Sequence, residues 1–392
     1  MKNFFAKTLV LFLICFSCKS QNKKIKSAVV NCDKFVQIIY SDSISENVKQ
    51  IIDKNAKATL KDSLINSLSI GIYINNVSYT FHYGELTKGK GDKATNETIY
   101  EIASVTKTFT GTLAAKAVLE GKLGLDDDIR KYLPQPYSNL QFKGEPIKIK
   151  HLLTHTSGLP NGTSRGMNEI LPNLDETEFG KIYLELENKQ TKSDFFKYLS
   201  EINITEEPGT KFNYSNYGSN LMGYILESVY RKPFQELIMN EIVKKAQMND
   251  THFHTPENKR YRLANGYRLG ISMPETNLAN TLWGAEGALK STTSDMLKYI
   301  SNQFKNSQIV KESHKKIFEI DTDYWIGYFW WSIENLNHDL HYRHDGGISR
   351  AKNVLVIFPE KKIGISIFTN ESSKRINYKL SELTYKIYDE LK

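Results

Sequence analysis

Thr98-Ile99-Tyr100-Glu101-Ile102-Ala103-Ser104-Val105-Thr106-Lys107-Thr108-Phe109 joins a β-type segment, Thr98 to Ile102, to an apolar stretch with helical patterning. Phe109, Leu113 and Ala117 recur at i, i+4, i+8 with Ala114 and Val118 beside them, and Gly121 closes the pattern as a helix C-cap. A serine on the first turn of such a helix has its Oγ near unpaired backbone N–H groups, and a lysine three residues on projects from the same face. The two side chains can touch. A serine hydroxyl is a poor nucleophile until its proton is taken, and a lysine deprived of water becomes neutral enough to take it. The junction points to covalent catalysis by an activated Ser104 with Lys107 beside it.

Ser-x-x-Lys also occurs at Ser20/Lys23, Ser313/Lys316 and Ser349/Lys352, so spacing alone does not select. Ser20 lies in a polar tail. Ser313 falls in the basic run Lys311 to Lys316, read as a solvated helix face, and Ser349 follows Gly346-Gly347-Ile348 into a strand with no helix to hold its lysine. Two distant stretches support Ser104. Pro208-Gly209-Thr210-Lys211-Phe212-Asn213-Tyr214-Ser215-Asn216 is a turn-rich approach to a second helical pattern, Leu221 to Glu227, and His341-Tyr342-Arg343-His344-Asp345-Gly346-Gly347 joins a strand to a glycine pair that lets backbone approach a ligand closely.

In this ordered set the chain resembles the serine β-lactamase and penicillin-binding-protein superfamily, in particular its class C β-lactamase-like branch, which also holds D-alanyl-D-alanine carboxypeptidases, D-amino-acid peptidases and esterases. The motifs that carry the resemblance are Ser104 to Lys107, Tyr214 to Asn216, and His344 to Gly346. His151 to Pro160, Gly284-Ala285-Glu286-Gly287-Ala288-Leu289, and Phe358-Pro359 ahead of Ile363-Gly364-Ile365 resemble the branch as well, so the likeness runs from about Val48 to the C-terminus.

The resemblance implies an acyl-enzyme on Ser104, a proton moving through the Lys107/Tyr214 pair, and an oxyanion hole made by the backbone N–H groups of Ser104 and Gly347. It also implies substrate contacts from Asn216, His344 and Gly346. Class C β-lactamases carry lysine where this chain has His344. Histidine is only partly charged near neutrality, and Asp345 adds negative charge, so the pattern is closer to the carboxypeptidase, D-aminopeptidase and esterase members. A class C-like β-lactamase and a non-catalytic penicillin-binding or sensor protein remain as alternatives.

His151 and His155 stand at i, i+4, but no glutamate follows His151 as a metalloprotease helix requires, so no metal is expected. No Gly-rich phosphate loop is present and no cofactor is implied. The 22 Tyr and 19 Phe suit core and pocket lining. Of the net charge of +8, six lysines fall within the first thirty residues with no acid among them, leaving a near-neutral body unsuited to nucleic acid. Partners are therefore expected to be a small-molecule or peptide substrate and a membrane. Lys2 and Lys7 precede an apolar run, Leu9 to Phe16, of signal-peptide length, and Ser17-Cys18 stands where a lipoprotein signal is cut and Cys18 acylated. That places the protein in the periplasm or cell envelope. Cys15 leaves with the signal and Cys32 stands alone, so no disulfide framework follows.

The expected layout is a signal peptide over 1–18, a basic tether over 19–46 and one hydrolase domain over 47–392. Its class is α/β (α+β), a β-lactamase/transpeptidase-like fold: an antiparallel sheet flanked by helices (47–104 and 281–392) plus an all-helical lobe (105–280). Within it the sequence reads as a helix over Glu46 to Lys57 and two strands from Ser69 to Tyr83 turning at Asn75-Asn76. Further strands are expected over Tyr324 to Ile333, His341 to Asp345, Asn353 to Phe358 and Lys362 to Thr369, with a closing helix over Ser373 to Lys392. Residues 161–192 read as an insertion over the cleft.

Overall fold

The computed structural model describes residues 32–335 and 338–392. The leader, Cys18 and the first part of the tether lie outside the described residues. The chain divides into two units, residues 1–50 and 51–392. Helix α1 (Cys32–Thr59) starts well before the expected Glu46, so residues 32–46 of the tether are helical. Its sequence contains no proline or glycine from Cys32 to Thr59, so nothing local breaks it. Among the described residues no helix is long and apolar enough to cross a membrane.

Eight strands form the main sheet: β1 (Ser67–Ile74), β2 (Val77–Gly84), β3 (Phe318–Asp321), β4 (Tyr324–Gly327), β5 (Trp330–Asn335), β6 (His338–Ile348), β7 (Ala351–Phe358) and β8 (Ile363–Thr369). Their order is β2-β1-β8-β7-β6-β5-β4-β3, and every pair is antiparallel. The two halves of the sequence thus meet at β1 and β8, as expected. The β1–β2 hairpin turns at Asn75 and Asn76 with φ of 51° and 65°, the left-handed pair that a two-residue turn requires. Every residue of β1 and β8 is buried, which means both faces of the sheet are covered.

Strand alternation sorts the coverings. Gly71 of β1 and Gly364 of β8 pack on helix α5 (Thr293–Gln303; α2 to α4 are placed below), touching Leu297 and Ile300. His341 and Arg343 of β6 reach Tyr385 and Ser381 of the closing helix α6 (Lys374–Leu391) on the other face.

Three strand expectations need correction. Tyr324 to Ile333 is not one strand but the β4–β5 hairpin, turning at Tyr328 and Phe329 with φ of 50° and 68°. Tyr328 and Phe329 themselves favour extended structure, and long-range bonds hold the turn: Phe329 N–H donates to the Leu153 carbonyl at 2.8 Å, and the Tyr328 hydroxyl to Glu312 at 2.7 Å. Edge strand β3 was not foreseen. The Gly346-Gly347 pair lies inside β6, paired with Asn353 and Lys352, rather than after the strand. The helix at Gln308–Ser313 is no solvated face, because Glu312 and Ser313 are buried.

The lobe is built on α2 (Thr106–Leu119) and α4 (Asn216–Tyr230), with α3 (Glu176–Asn188) in the segment expected to cover the cleft. It is helical except for two short β pairs, at 141–146 and 266–273. Helix α2 is buried nearly all round, as a helix at the centre of a domain must be. Its buried threonines spend their hydroxyls internally: Thr108 donates to Val105 O at 2.8 Å and Thr110 to Ala285 O at 2.9 Å. Gly121 ends the helix at φ 68°.

Candidate active site

Ser104 lies not on the first α-helical turn but in a 3₁₀ turn, Ala103–Val105, that runs straight into α2. Residues i and i+3 nearly eclipse in that geometry, so the lysine contact survives. Ala103 takes φ 46°, a left-handed conformation unusual for a residue with a Cβ. The neighbouring Ile102 N–H donates to Leu289 O at 2.9 Å, fixing the approach to the turn. The Gly284 to Leu289 stretch is thus bolted to α2 through Thr106 and Thr110, and it forms one wall around Lys107.

Lys107 is fully buried. Its ammonium donates to Glu286 O at 2.6 Å, Asn216 Oδ1 at 2.7 Å and Ser104 Oγ at 3.2 Å, which uses all three of its hydrogens. Burial drives its pKa far below the ordinary 10.5, and the Glu286 carboxylate opposes this. The same burial raises Glu286, with Lys107 opposing. Asn216 turns its Nδ2 toward Asn161 Oδ1 at 3.1 Å, so one amide hydrogen is engaged and one is left for a ligand.

Tyr214 completes the group. Its hydroxyl faces Ser104, and the Lys107 amine lies 4.9 Å from its ring centre. Burial holds the phenol well above its usual range, the Ser104 hydrogen bond pulls it back, and the Glu286 and Asp345 carboxylates add to the rise. The loop that carries it is clamped to the 151–160 segment by His155. Asn213 N–H donates to His155 O at 2.7 Å, Ser215 N–H to His155 Nδ1 at 3.1 Å, and the His155 and Tyr214 rings meet at a tilt of 36° with centres 4.4 Å apart. His151 accepts from Lys148 N–H instead, so the two histidines serve separate loops. Sequence reasoning weighed His155 only as a metal ligand and missed this role; its place in the family-like stretch was the available signal. Glu286 was missed in the same way.

His344 and the glycine pair meet the serine turn from the sheet. A Cβ on Gly346 would lie 2.3 Å from Ile102 O and 2.4 Å from Asn353 Oδ1, so β6 can abut the turn only with glycine there. His344 is 2% exposed, and burial, with the Lys107 charge next, lowers its pKa to about 4. Neutral imidazole then donates from Nδ1 to Asp345 O at 2.9 Å, leaving Nε2 as a buried acceptor without a protein partner among the described residues. The expected partial charge on His344 is therefore corrected to none at neutral pH. Asp345 points to the opposite face, where Arg343 grips both its oxygens at 2.8 Å, so its charge is paired there. His341 and His344 face opposite sides of β6, as their spacing requires.

Two cavities open beside this cluster. One, of about 460 Å³, is lined by Tyr214, Tyr324, Trp331, Ile333 and His344, with Arg343 and Asp345 at one side. The other, of about 480 Å³, is lined by Asn216, Glu286, Gly347, Arg268 and Lys352, and residues from Asn161 to Tyr183 form its far wall. The structure thus brings together Ser104, Lys107, Tyr214, Asn216, His344, Gly346 and Gly347.

Comparison with known proteins agrees with the architecture. A family model described as Beta-lactamase matches residues 52–380. Protein flp of Staphylococcus aureus (strain N315) is 29% identical over 351 residues, covering 85% of this chain and 65% of its own length. A β-lactamase of Providencia stuartii is 26% identical over 282 residues, 71% of this chain and 66% of that protein. The chain therefore spans just under two thirds of these relatives. A crystal structure of a β-lactamase/D-alanine carboxypeptidase from Yersinia pestis complexed with citrate superposes with a TM-score of 0.75 at 22% identity, covering 88% of this chain and 99% of that one. A class C β-lactamase does so with a TM-score of 0.74 at 20% identity, covering 88% and 96%. The fold is that of β-lactamases and their carboxypeptidase neighbours, and the family model spans most of the sequence: this chain belongs to the beta-lactamase family of serine hydrolases.

Proposed function

We propose that the protein hydrolyses a peptide or ester through an acyl-enzyme on Ser104, with an activity of the D-alanyl-D-alanine carboxypeptidase, D-aminopeptidase or esterase kind. One observation carries this reading: a fully buried Lys107 has its Nζ 3.2 Å from Ser104 Oγ, held there by Asn216 and the Glu286 carbonyl, with the Tyr214 ring 4.9 Å from the same nitrogen. Burial lowers the lysine, which suits it to take a proton, and raises the phenol, which suits it to give one. Neutral Lys107 takes the Ser104 proton as Oγ bonds the acyl carbon, and the carbonyl oxygen becomes an oxyanion held by the backbone N–H groups of Ser104 and Gly347. Removing one such donor typically costs about 3 kcal/mol of barrier. As the intermediate collapses, the bond to the leaving group breaks and Tyr214 supplies its proton. Water then attacks the ester and gives a proton to the Tyr214 phenolate, and as the Oγ–acyl bond breaks the Lys107 ammonium returns its proton to Ser104, so all three side chains are reset.

A neutral His344 supports a peptidase or esterase over a class C-like β-lactamase, because it offers an acceptor where an ammonium would steady a phenolate and a substrate carboxylate. The test is to incubate the protein with a fluorescent penicillin and with nitrophenyl acetate, then map the label. Label on Ser104 with slow release indicates a carboxypeptidase-like enzyme, and rapid release an esterase or β-lactamase. Neither adduct nor turnover would leave the binding or sensor alternative. From the sequence alone we also propose that Cys18 is acylated and tethers the protein to the cell envelope, which detergent partitioning of the native protein checks.

A further inference from the structure

Lys352 stands out in the second cavity. It pairs across the ladder with Gly347, the residue placed at the oxyanion hole, and a Cβ on Gly347 would come within 2.4 Å of its Nζ. Unlike Lys107, it makes no hydrogen bond or ion pair among the described residues. The acids around it are already engaged. Asp345 is gripped by Arg343 through both oxygens, at 2.8 Å each. Glu176 lies 3.8 Å from Arg268 and accepts from Lys374 N–H at 2.6 Å. Asp175 caps α3 through the Thr177 and Glu178 amides, and Glu286 is set against Lys107. Burial and then the Arg268 charge lower the Lys352 pKa to about 8, while Asp345 and Glu176 act the other way from a distance, so the cation persists at neutral pH with no carboxylate in contact. Lys352 is only partly buried, so its ammonium is reachable from the cavity, and with no protein acceptor in contact it is open to an anion that a ligand brings.

The side of the reaction it serves follows from the acid. Tyr214 gives its proton to the leaving group and lines the aromatic cavity with Tyr324 and Trp331, so the leaving group enters there. Asn216, Gly347 and Lys352 line the other cavity, which takes the acyl substituent. We infer that Lys352 is a specificity residue that binds an anionic group, a carboxylate, on the acyl portion of the substrate a few bonds from the carbonyl under attack. This rests on the hydrolase reading above for its chemistry but not for its binding. His344, neutral, leaves the leaving-group side without a cation at the position where the class C enzymes resembled carry lysine. The anion site has its own place in this chain, on β7.

Two measurements test it. The purified protein is assayed with nitrophenyl esters of glutarate, valerate and 4-(trimethylammonio)butyrate, which differ in acyl charge. The expected order of kcat/KM is anionic, neutral, cationic, with the glutarate ester favoured over valerate by about tenfold or more. Lys352→Met should bring that ratio near one, and Lys352→Arg should keep it. Binding of free glutarate against glutaramide is measured by calorimetry on the wild type and both variants, with no need for turnover. Equal affinity for glutarate and glutaramide in the wild type, or an unchanged ester ratio in Lys352→Met, overturns the assignment whatever the other variant does. Selective glutarate binding that depends on Lys352, with no ester turned over and no label on Ser104, would uphold the anion site and reject the hydrolase reading instead.

Discussion

The two cavities beside Ser104 are nearly equal in volume and opposite in chemistry. The one at Tyr214 is walled by Tyr324, Trp331 and Ile333. The one at Gly347 carries Lys352 and Arg268. The contrast between Lys107 and Lys352 sharpens this. Both are lysines lowered by burial, yet Lys107 has all three hydrogens committed to protein acceptors and Lys352 has none. A buried amine with a full set of partners is a fixed part of the machinery, whereas a partly buried one that no protein acceptor contacts is open to something that arrives. Under the proposed function, reaction chemistry sits between the cavities and recognition differs on either side of it.

Breaking the shared centre should have the largest effect. Ser104→Ala should abolish acylation from either cavity, a loss on the order of 10⁶-fold in kcat if nucleophile removal behaves as in other serine hydrolases. Residual labelling by nitrophenyl acetate at another residue would remove the nucleophile assignment. Tyr214→Phe comes next and touches one side only. For a methyl ester or amide, whose leaving group needs a proton, the rate should fall by about 10² to 10⁴. A nitrophenyl ester, whose leaving group departs as a stable anion, should lose far less. Equal losses on both would mean that Tyr214 acts as base and not as acid.

A smaller effect is expected from Trp331→Ala, which empties part of the aromatic wall. Relative kcat/KM for nitrophenyl over methyl esters should drop by about tenfold, the equivalent of one lost aromatic contact. The acyl-charge preference assigned to Lys352 should not move. A change in acyl preference instead would exchange the two cavities.

The pH dependence of stability gives the smallest and most diffuse signal. His344 titrates at about 4 in the folded chain against 6.5 when unfolded. A depressed folded pKa means the contribution is present above 6.5 and is lost as pH falls toward 4, because the unfolded chain takes up the proton first. At pH 5 this one residue should cost on the order of 2 kcal/mol of stability. Thermal melts of the wild type and His344→Gln at pH 8 and pH 5 should converge at the lower pH, and parallel curves would mean the imidazole is charged in the fold. Activity should follow the opposite logic of a base. A lysine lowered from 10.5 is freed of its proton as pH rises through the neutral range, so acylation should increase there.

Much of this was legible in the chain. The Asn75-Asn76 hairpin, the closing helix capped by Ser373 and the C-cap at Gly121 follow from local rules about turns and caps, and the structure shows them. Local rules fail where a distant partner decides. Tyr328 and Phe329 read as strand and turn only because the Leu153 carbonyl and Glu312 lie where they do. The run from Lys311 to Lys316 looks solvated, yet Glu312 and Ser313 are buried. In the site, Ser104 with Lys107 was visible as a spacing. His155 was invisible as a clamp because nothing in its own neighbourhood says that residues 213 to 215 will rest on it.

The sequence by itself determined which groups are available: a serine and lysine three apart, a tyrosine two before an asparagine, a histidine ahead of a glycine pair. Periodicity and short-range sterics are properties of neighbouring residues, so they can be read along the chain. Only the tertiary structure decided which of these groups lose water, and therefore their charge. Burial turned Lys107 toward neutrality, set Tyr214 against it, silenced His344 and left Lys352 charged without a partner. Desolvation depends on what packs around a side chain from every direction, and that information is distributed over the whole fold.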